Sequence, residues 1–272
     1  YGFAVALDAG SGREICRQTI GVPLRGAPTV ADGQVFVSTQ DNQLFALNAE
    51  NGEINWEHFS IIENAAVLGA SSPAIAGQTV IAAFSSGEIY ALRSQNGQVA
   101  WQDALSRTGR LTALATLNDI DGNPVIYNDR VYVGNHSGRL AAIDLRTGER
   151  IWENNIGTIY TPWIAGNYMY VLDTEGEVVC ISVRDGRVRW ITQLERFEKR
   201  KKRKDLIRWA GPVLAGDRLF VSSSHGYMLT LSPYTGEILS GQDLGSSLLL
   251  PPVIANNTMY ILTEDGDLEA YR

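Results

Sequence analysis

Few residues of this sequence are of types that support catalysis, and those few are scattered. The three histidines, His58, His136 and His225, lie far apart, and the last two occupy equivalent turns, "NHSG" and "SHGY". The two cysteines, Cys16 and Cys180, form neither a disulfide framework nor a metal motif, and each lies in a strand pattern that favours burial. No phosphate loop or nucleophile motif occurs. The sequence therefore predicts no catalytic residue, no metal, no cofactor and no enzyme.

Two charged segments are candidates for binding. Asp119 and Asp121 lie two residues apart in "NDIDGNPV", where carboxylates can stabilise the turn into Pro124 by accepting backbone N–H bonds. The other segment consists of six adjacent cations: Lys199, Arg200, Lys201, Lys202, Arg203 and Lys204. Adjacent like charges repel one another and cannot pack, which predicts a solvated loop. The alternative is an electrostatic patch for anionic lipid head groups or for an acidic partner.

The composition limits the classes of protein to which the chain can belong. The net charge of its 272 residues is −7, and the six cations carry +6, so the remaining chain carries −13. A uniformly basic face for nucleic acid is therefore absent. No apolar run approaches the ~18 residues that indicate a membrane-spanning helix. Apolar residues make up 44% of the chain, and its 27 glycines against 3 methionines favour many strands joined by tight turns.

A glycine turn followed by a large side chain recurs along the whole chain. The turn glycines are 38 to 51 residues apart, at Gly12, Gly52, Gly97, Gly148, Gly186 and Gly236. Four copies, such as "LNAENGEINW" and "LRTGERIW", end in a tryptophan: Trp56, Trp101, Trp152 and Trp190. Glycine permits the left-handed backbone of a tight turn, and each ring can bury about 150–250 Å² against the neighbouring unit. This motif is predicted to dock one unit on the next.

The period and its turn signals predict an all-β propeller built from four-stranded antiparallel blades. We expect a single propeller domain over 1–272, with partial blades at 1–20 and 252–272. The complete blades are expected at about 27–59, 72–105, 124–156, 162–194 and 211–243. Turns between the first and second and between the third and fourth strands are short. The length variation lies in the connections at the opposite face, which is therefore the predicted working surface.

The spacing of the repeat resembles the tryptophan-docking repeat of the pyrroloquinoline quinone (PQQ) type propellers. Within that superfamily, "LNDIDGNPVIYNDRVYVGNHSGRLAAIDLRTGERIW" (117–152) resembles the BamB family, the propeller lipoproteins of the outer-membrane β-barrel assembly machinery. "SHGYMLTLSPYTGEIL" and "GDLEAYR" fit the same family. The resemblance implies an eight-bladed propeller, of which about six blades are present here. We therefore expect a truncated or processed form, or a small relative. The alternative is six blades that close on themselves, with "EICRQTI" completing the last blade.

The family's partner-binding residues can be transferred only where this sequence matches its motifs. The resemblance implies that Asp119 and Asp121 contact a periplasmic domain of BamA, the central subunit of the machinery. In "AAVLGASSP", Ala65 and Val67 stand where the family supplies two leucines, and Leu68 stands where it supplies an arginine. That departure removes a salt bridge and leaves an apolar contact. The alternative for this segment is local burial.

The resemblance thus implies a non-enzymatic scaffold that binds BamA in the periplasm of a Gram-negative bacterium and assists the folding and insertion of outer-membrane β-barrels. Unfolded outer-membrane proteins are further implied partners, and the family's lipid anchor would hold the protein at the membrane. One alternative is a fragment of a PQQ-dependent dehydrogenase, although the adjacent cysteines of those enzymes have no counterpart in Cys16 and Cys180. Another is a generic propeller that binds peptide or glycan.

Overall fold

The structure, a computed structural model, describes residues 2–61, 71–105 and 118–272. The positions Ala65, Val67 and Leu68 lie outside these described residues. The chain divides into two compact units, Tyr1–Ile159 and Tyr160–Arg272. Within the described residues, regular structure consists of antiparallel strands and one short 3-10 turn. No helix among these residues is long and apolar enough to cross a membrane.

The first unit contains one two-stranded and three four-stranded antiparallel sheets in its described residues. The two-stranded sheet pairs β1 (Phe3–Leu7) with β2 (Glu14–Thr19). The first four-stranded sheet comprises β3 (Thr29–Ala31), β4 (Gln34–Ser38), β5 (Gln43–Asn48) and β6 (Ile54–Phe59). The second comprises β7 (Ala74–Ala76), β8 (Thr79–Ala83), β9 (Glu88–Arg93) and β10 (Val99–Ala104). The third comprises β11 (Val125–Tyr127), β12 (Arg130–Gly134), β13 (Leu140–Asp144) and β14 (Arg150–Asn154).

The second unit contains four sheets. The first comprises β15 (Trp163–Ala165), β16 (Tyr168–Leu172), β17 (Glu177–Ser182) and β18 (Val188–Gln193). A hairpin follows, made of β19 (Phe197–Lys199), a 3-10 turn (Arg200–Lys202) and β20 (Lys204–Leu206). Next come β21 (Trp209–Ala215), β22 (Arg218–Ser223), β23 (Tyr227–Leu231) and β24 (Ile238–Asp243). The last sheet has three strands, β25 (Val253–Ala255), β26 (Thr258–Leu262) and β27 (Leu268–Tyr271).

In every four-stranded sheet the strands pair in chain order, so each connection inside a sheet is a hairpin turn. The turn between β11 and β12 shows why the sequence folds this way. Asn128 and Asp129 adopt φ values of 49° and 56°, which are left-handed conformations that Asn and Asp tolerate better than most side chains. A two-residue turn of this kind leaves Tyr127 opposite Arg130 and fixes the register of the sheet.

The core lies between successive sheets and is formed by their middle strands. In β8, β9, β12 and β13 nearly every side chain is buried, including Ile81, Ile89, Val131 and Ile143 at 0% exposure. Strands covered on both faces read as continuous apolar runs, whereas the outer strands alternate between buried and exposed residues. Apolar area removed from water in this way contributes about 25 cal/mol per Å². One sheet therefore stabilises its neighbour along the chain.

The basic run differs from the expected irregular loop. Residues 199–204 form the tip of the β19–β20 hairpin, because Phe197 pairs with Leu206 and Lys199 pairs with Lys204 on either side of the 3-10 turn. The hairpin is nevertheless exposed, as the charges require. We call residues 197–206 the basic hairpin.

Candidate functional site: an acidic loop between two sheets

The first candidate site is the segment 118–123, which leads into β11 and which we call the acidic loop. Asp119 and Ile120 are each only 1% exposed, so the loop turns its first carboxylate inward. The carbonyl oxygen of Asp119 accepts a hydrogen bond from the backbone N–H of His136 at 2.9 Å. The Ser137 hydroxyl donates to Oδ1 of Asn118 at 3.2 Å. The acidic loop is thus fastened to the turn between β12 and β13.

The acidic loop also contacts the chain that enters β7. Oδ1 of Asn123 accepts a hydrogen bond from the backbone N–H of Ser72 at 2.7 Å. Its neighbour Ser71 is 2% exposed. In the sequence, Ser71 follows Leu68 by three residues. The structure therefore joins the end of the acidic loop, at Asn123, to the chain at Ser72.

The surroundings of the acidic loop disfavour the ionised form of Asp121. Burial and, to a smaller extent, the nearby carboxylate of Asp119 together raise the pKa of Asp121 to about 6, and the His136 imidazole opposes the rise. Asp144 provides the contrast: it accepts hydrogen bonds from the backbone N–H groups of Thr147 at 2.8 Å and Arg146 at 3.0 Å, and those bonds lower its pKa. The raised pKa of Asp121 is the opposite of what turn stabilisation produces.

Two buried asparagines hold the ends of the segments that leave the sheets, and sequence reasoning missed both. Asn42 is 3% exposed and donates through Nδ2 to the carbonyl oxygen of Ile61 at 2.8 Å. Asn135 is 0% exposed and donates through Nδ2 to the carbonyl oxygen of Leu105 at 2.6 Å. Both lie in turns between the second and third strands of their sheets. Asn42 is the last residue of its turn in "QDNQ" and Asn135 is the first of its turn in "GNHSG", so no shared position in the sequence marks them.

Glu88 provides a second hydrogen-bonded contact at Ile61, in addition to that of Asn42. Burial alone would raise the pKa of Glu88, yet hydrogen bonds hold it below the usual value. The hydroxyl of Ser60 donates to Oε2, that of Ser86 to the same atom at 3.1 Å, and that of Tyr90 to Oε1 at 3.2 Å. The backbone N–H of Ile61 also approaches Oε2 at 3.4 Å. The point at which the chain leaves β6 is therefore held by a partly buried carboxylate that four donors of the chain keep ionised.

The repeated tryptophans lie on the turn of the next sheet in both units. Nε1 of Trp56 donates to the carbonyl oxygen of Ser94 at 2.7 Å, and Nε1 of Trp101 to that of Leu145 at 2.8 Å. A Cβ built on Gly97 would lie 2.6 Å from Cε3 of Trp56. Glycine at this turn is thus required twice, for its positive φ and for the ring that covers it, and the second reason is invisible in the sequence.

The other copies vary this contact. In the second unit, Nε1 of Trp190 donates to the carbonyl oxygen of Pro233 at 3.1 Å, and a Cβ on Gly236 would lie 2.5 Å from its ring. Trp152 is half-buried, with its ring 5.9 Å from that of Tyr132. In the first copy Cys16 takes the place of the ring, since its Sγ would lie 3.1 Å from a Cβ on Gly52. Trp56, Trp101, Trp190 and Cys16 thus pack against the turn of a neighbouring sheet, whereas the contact of the Trp152 ring with Tyr132 is within its own sheet.

The described residues offer no constellation for metal chemistry, since no three His, Cys, Asp or Glu side chains among them could hold an ion. His58 contacts Tyr90 and Phe84 with its ring, and burial lowers its pKa. Cys180 is 2% exposed, and burial raises the pKa of its thiol to about 11. A thiol with such a pKa is a poor nucleophile at neutral pH. The acidic loop and the basic hairpin remain the candidate sites for binding.

Comparison with known proteins agrees with this fold. The family model of the outer membrane protein assembly factor BamB matches residues 1–192 and 198–272. A protein of that description from Moranella endobia (strain PCIT) is 27% identical over 243 residues, which cover 89% of this chain and 60% of the relative. The chain thus spans well under two thirds of that relative's length.

Among solved structures, BamB from Moraxella catarrhalis superimposes with a TM-score of 0.86 at 23% identity, covering 99% of this chain and 78% of that one. The quinohemoprotein alcohol dehydrogenase from Comamonas testosteroni is a more distant match. Its TM-score is 0.62 at 15% identity, covering 82% of this chain and 43% of that one. Both likenesses concern the fold, which is a β-propeller of four-stranded antiparallel blades.

Proposed function

The chain belongs to the family of the outer membrane protein assembly factor BamB, and from this premise we propose that it is a non-enzymatic subunit of that assembly process. In this role it acts at the periplasmic side of the outer membrane of a Gram-negative bacterium. It binds BamA and helps to position the machinery for folding and inserting β-barrels. Unfolded outer-membrane proteins are its further partners. The propeller, expected to be one domain, supplies a rigid frame for the binding loops.

The observation that carries the proposal is the raised pKa of Asp121, because it means that ionising the acidic loop costs free energy in the isolated chain. An ionised carboxylate such as that of Asp121, whose pKa is raised by burial and by the neighbouring carboxylate of Asp119, destabilises the folded chain. A cationic side chain of a partner removes this cost, because an opposite charge within a few ångströms favours the ionised form. Charge-assisted hydrogen bonds to carboxylates are also stronger than neutral ones. Asp121, which is only partly buried, therefore gains more from a basic partner than from solvent, and Asp119 acts on it from inside the loop.

The surroundings of the acidic loop support binding by a preorganised surface. Asn123 ties the loop to Ser72, while Asn42 and Asn135 fix the carbonyl groups at the start of two connecting segments. A surface that is already ordered loses less conformational entropy on binding. Apolar contacts by Ala65, Val67 and Leu68, which precede Ser71 in the sequence, are a further part of the proposal.

The dehydrogenase alternative is not favoured by a specific observation. The likeness to the quinohemoprotein alcohol dehydrogenase from Comamonas testosteroni extends to the fold, at 15% identity. Propellers carry many unrelated activities, so the fold alone decides nothing about function. A channel that binds peptide or glycan likewise has no described residues that point to it. The scaffold role is the one to test first.

The test is a titration of the chain against the purified periplasmic domains of BamA from the same organism. We expect Asp121→Asn to weaken binding about 10-fold, the loss of roughly one charge-assisted contact. The matched control is Asp129→Asn, which makes the same chemical change in an exposed turn at the other end of the same sheet. Binding by the unaltered chain should strengthen from about pH 5 to about pH 7 as Asp121 ionises.

Two results would count against the proposal. The first is that the folded, unaltered chain does not bind the BamA domains. The second is that Asp121→Asn binds as tightly as the control and with the same pH profile, which would place any binding site elsewhere on the chain.

A further inference from the structure

The basic hairpin is the most concentrated charge on the described surface, and the acidic loop does not account for it. Its strands are short but regular: Phe197 lies opposite Leu206, and Lys199 lies opposite Lys204. Arg203 adopts a φ of 48°, which closes the turn after the 3-10 segment. The exposed side chains of Lys199, Lys201, Lys202, Arg203 and Lys204 therefore lie on a defined hairpin that follows β18.

The hairpin keeps most of its positive charge unneutralised. Nζ of Lys199 forms an ion pair with Oδ2 of Asp205 at 2.7 Å, and both groups are largely exposed. Within residues 2–61, 71–105 and 118–272, Lys201, Lys202 and Lys204 form no ion pair. Like charges directly opposite each other on paired strands are destabilising. The folded chain thus holds these cations together at a cost that an external negative charge would relieve.

The form of the hairpin favours an extended anionic surface over a discrete acidic site. Four of the six cations are lysines, which act as flexible point charges rather than as the rigid forks that arginines offer to a single carboxylate. The four lysines are spread over residues 199–204 of the exposed hairpin, so a single carboxylate cannot neutralise them all. Leu206, 52% exposed at the base of the hairpin, adds an apolar side chain beside the charges.

The negative charge of the remaining chain would orient the protein on an anionic surface, with the basic hairpin facing that surface. Outside the run of six cations the chain carries −13, so an anionic surface repels most of it and attracts the hairpin. The hairpin leaves the end of β18 and leads into β21, whereas the turns before β18 and after β21 lie at the opposite ends of those strands. Contact through the hairpin therefore leaves those turns pointing away from the surface.

We propose that the basic hairpin binds the surface of an anionic lipid bilayer, with Lys201, Lys202 and Lys204 lying against the phosphate head groups. The contact is electrostatic and reversible. It needs no protein partner, so it stands or falls independently of BamA binding.

The experiment is co-sedimentation of the full 272-residue chain with vesicles. One set consists of phosphatidylcholine alone, and the other contains about one third phosphatidylglycerol. Each basic residue near a charged membrane contributes about 1 kcal/mol, so the triple variant Lys201→Gln, Lys202→Gln and Lys204→Gln should bind the anionic vesicles about 100-fold more weakly. Raising the ionic strength from about 0.05 M to about 0.5 M should release the unaltered chain.

Two matched triple variants test whether a loss of vesicle binding is specific to the charge of the hairpin. The first is a triple variant that removes the same charge from exposed residues at the far ends of β18 and β21: Arg184→Gln, Arg187→Gln and Arg218→Gln. It should bind the vesicles within about 3-fold of the unaltered chain, because the removed charges lie more than a screening length from the surface. Lys201→Arg, Lys202→Arg and Lys204→Arg keep the charge and should retain binding. Thermal transitions monitored by tryptophan fluorescence establish that all variants fold.

Several results would overturn the proposal. These are no binding to the anionic vesicles, equal binding to neutral and anionic vesicles, or equal loss of binding in the two glutamine variants. Polyglutamate serves as an acidic polypeptide probe in parallel. Binding to polyglutamate that depends on the three lysines, without binding to anionic vesicles, would assign the hairpin to an acidic protein partner instead.

Discussion

Replacing Asp121 by asparagine should make the folded chain more stable at neutral pH, although it removes a charged residue from the candidate binding site. The pKa of this carboxyl is about 6 in the folded chain, against an ordinary value of 3.8. Because one pKa unit equals about 1.36 kcal/mol, ionising Asp121 at neutral pH costs up to about 3 kcal/mol. Part of the side chain still meets solvent, so we expect about 1 to 2 kcal/mol to remain.

The sign of the pH dependence follows from the direction of the pKa change. Between about pH 3.8 and about pH 6 the folded chain binds more protons at Asp121 than the unfolded chain does, so stability falls as the pH rises through this window. Asparagine has nearly the same shape and never ionises. Asp121→Asn should therefore exceed the unaltered chain in stability at about pH 7.5 and lose that advantage by about pH 4.

The assay is urea unfolding of both chains at several pH values, followed by tryptophan fluorescence. Asp144→Asn is the control of opposite sign, since Asp144 accepts backbone hydrogen bonds that lower its pKa. Its contribution to stability is present above its ordinary pKa of 3.8 and is lost as the pH falls, so Asp144→Asn should be less stable than the unaltered chain at neutral pH. An Asp121→Asn variant that is destabilised, or whose advantage does not change with pH, would refute the reasoning.

Three further predictions concern the frame that holds the loops. Gly148→Ala should lower the free energy of unfolding by about 2 to 4 kcal/mol, because its Cβ would lie 2.7 Å from Cγ of Trp101 at a φ of 76°. Its control is Gly77→Ala, where φ is 53° and no atom lies within 4 Å of the new Cβ. This control should cost only the backbone strain of about 1 to 2 kcal/mol. Asn135→Ala should cost about 2 to 4 kcal/mol in the same measurement, since two buried backbone groups lose their partner. Glu88→Gln should lower stability at neutral pH but not at acid pH, because the contribution of a carboxylate with a lowered pKa disappears as the pH falls below its ordinary value of 4.5.

The fold class could be predicted from the sequence because it rests on a local motif that recurs. The spacing of the turn glycines and the rings of Trp56 and Trp101 predicted four-stranded antiparallel blades of a β-propeller, and this is confirmed. Each copy needs the same small contact between a ring and the next turn. A constraint that repeats once per sheet leaves a visible period in the sequence.

The details of the site could not be predicted in the same way, because they depend on contacts between residues far apart in the chain. Asn135 contacts the carbonyl group of a residue 30 positions away, and Asn42 one 19 positions away. Nothing local distinguishes these asparagines from ordinary turn residues. The pairing of Phe197 with Leu206 was likewise hidden, since the charges between them dominated the pattern and favoured a loop.

Charge serves two different purposes in this chain, and its position relative to the sheets separates them. In the turns within a sheet, carboxylates such as Asp144 accept backbone N–H bonds and stabilise the fold. In the segments between sheets, the carboxylate of Asp121 and the lysines of the basic hairpin stand against charges of their own sign. Such groups destabilise the isolated chain, and a binding partner of opposite charge is what offsets them. We therefore propose that the segments between sheets carry the chain's binding surfaces, whereas turns such as that of Asp144 serve folding.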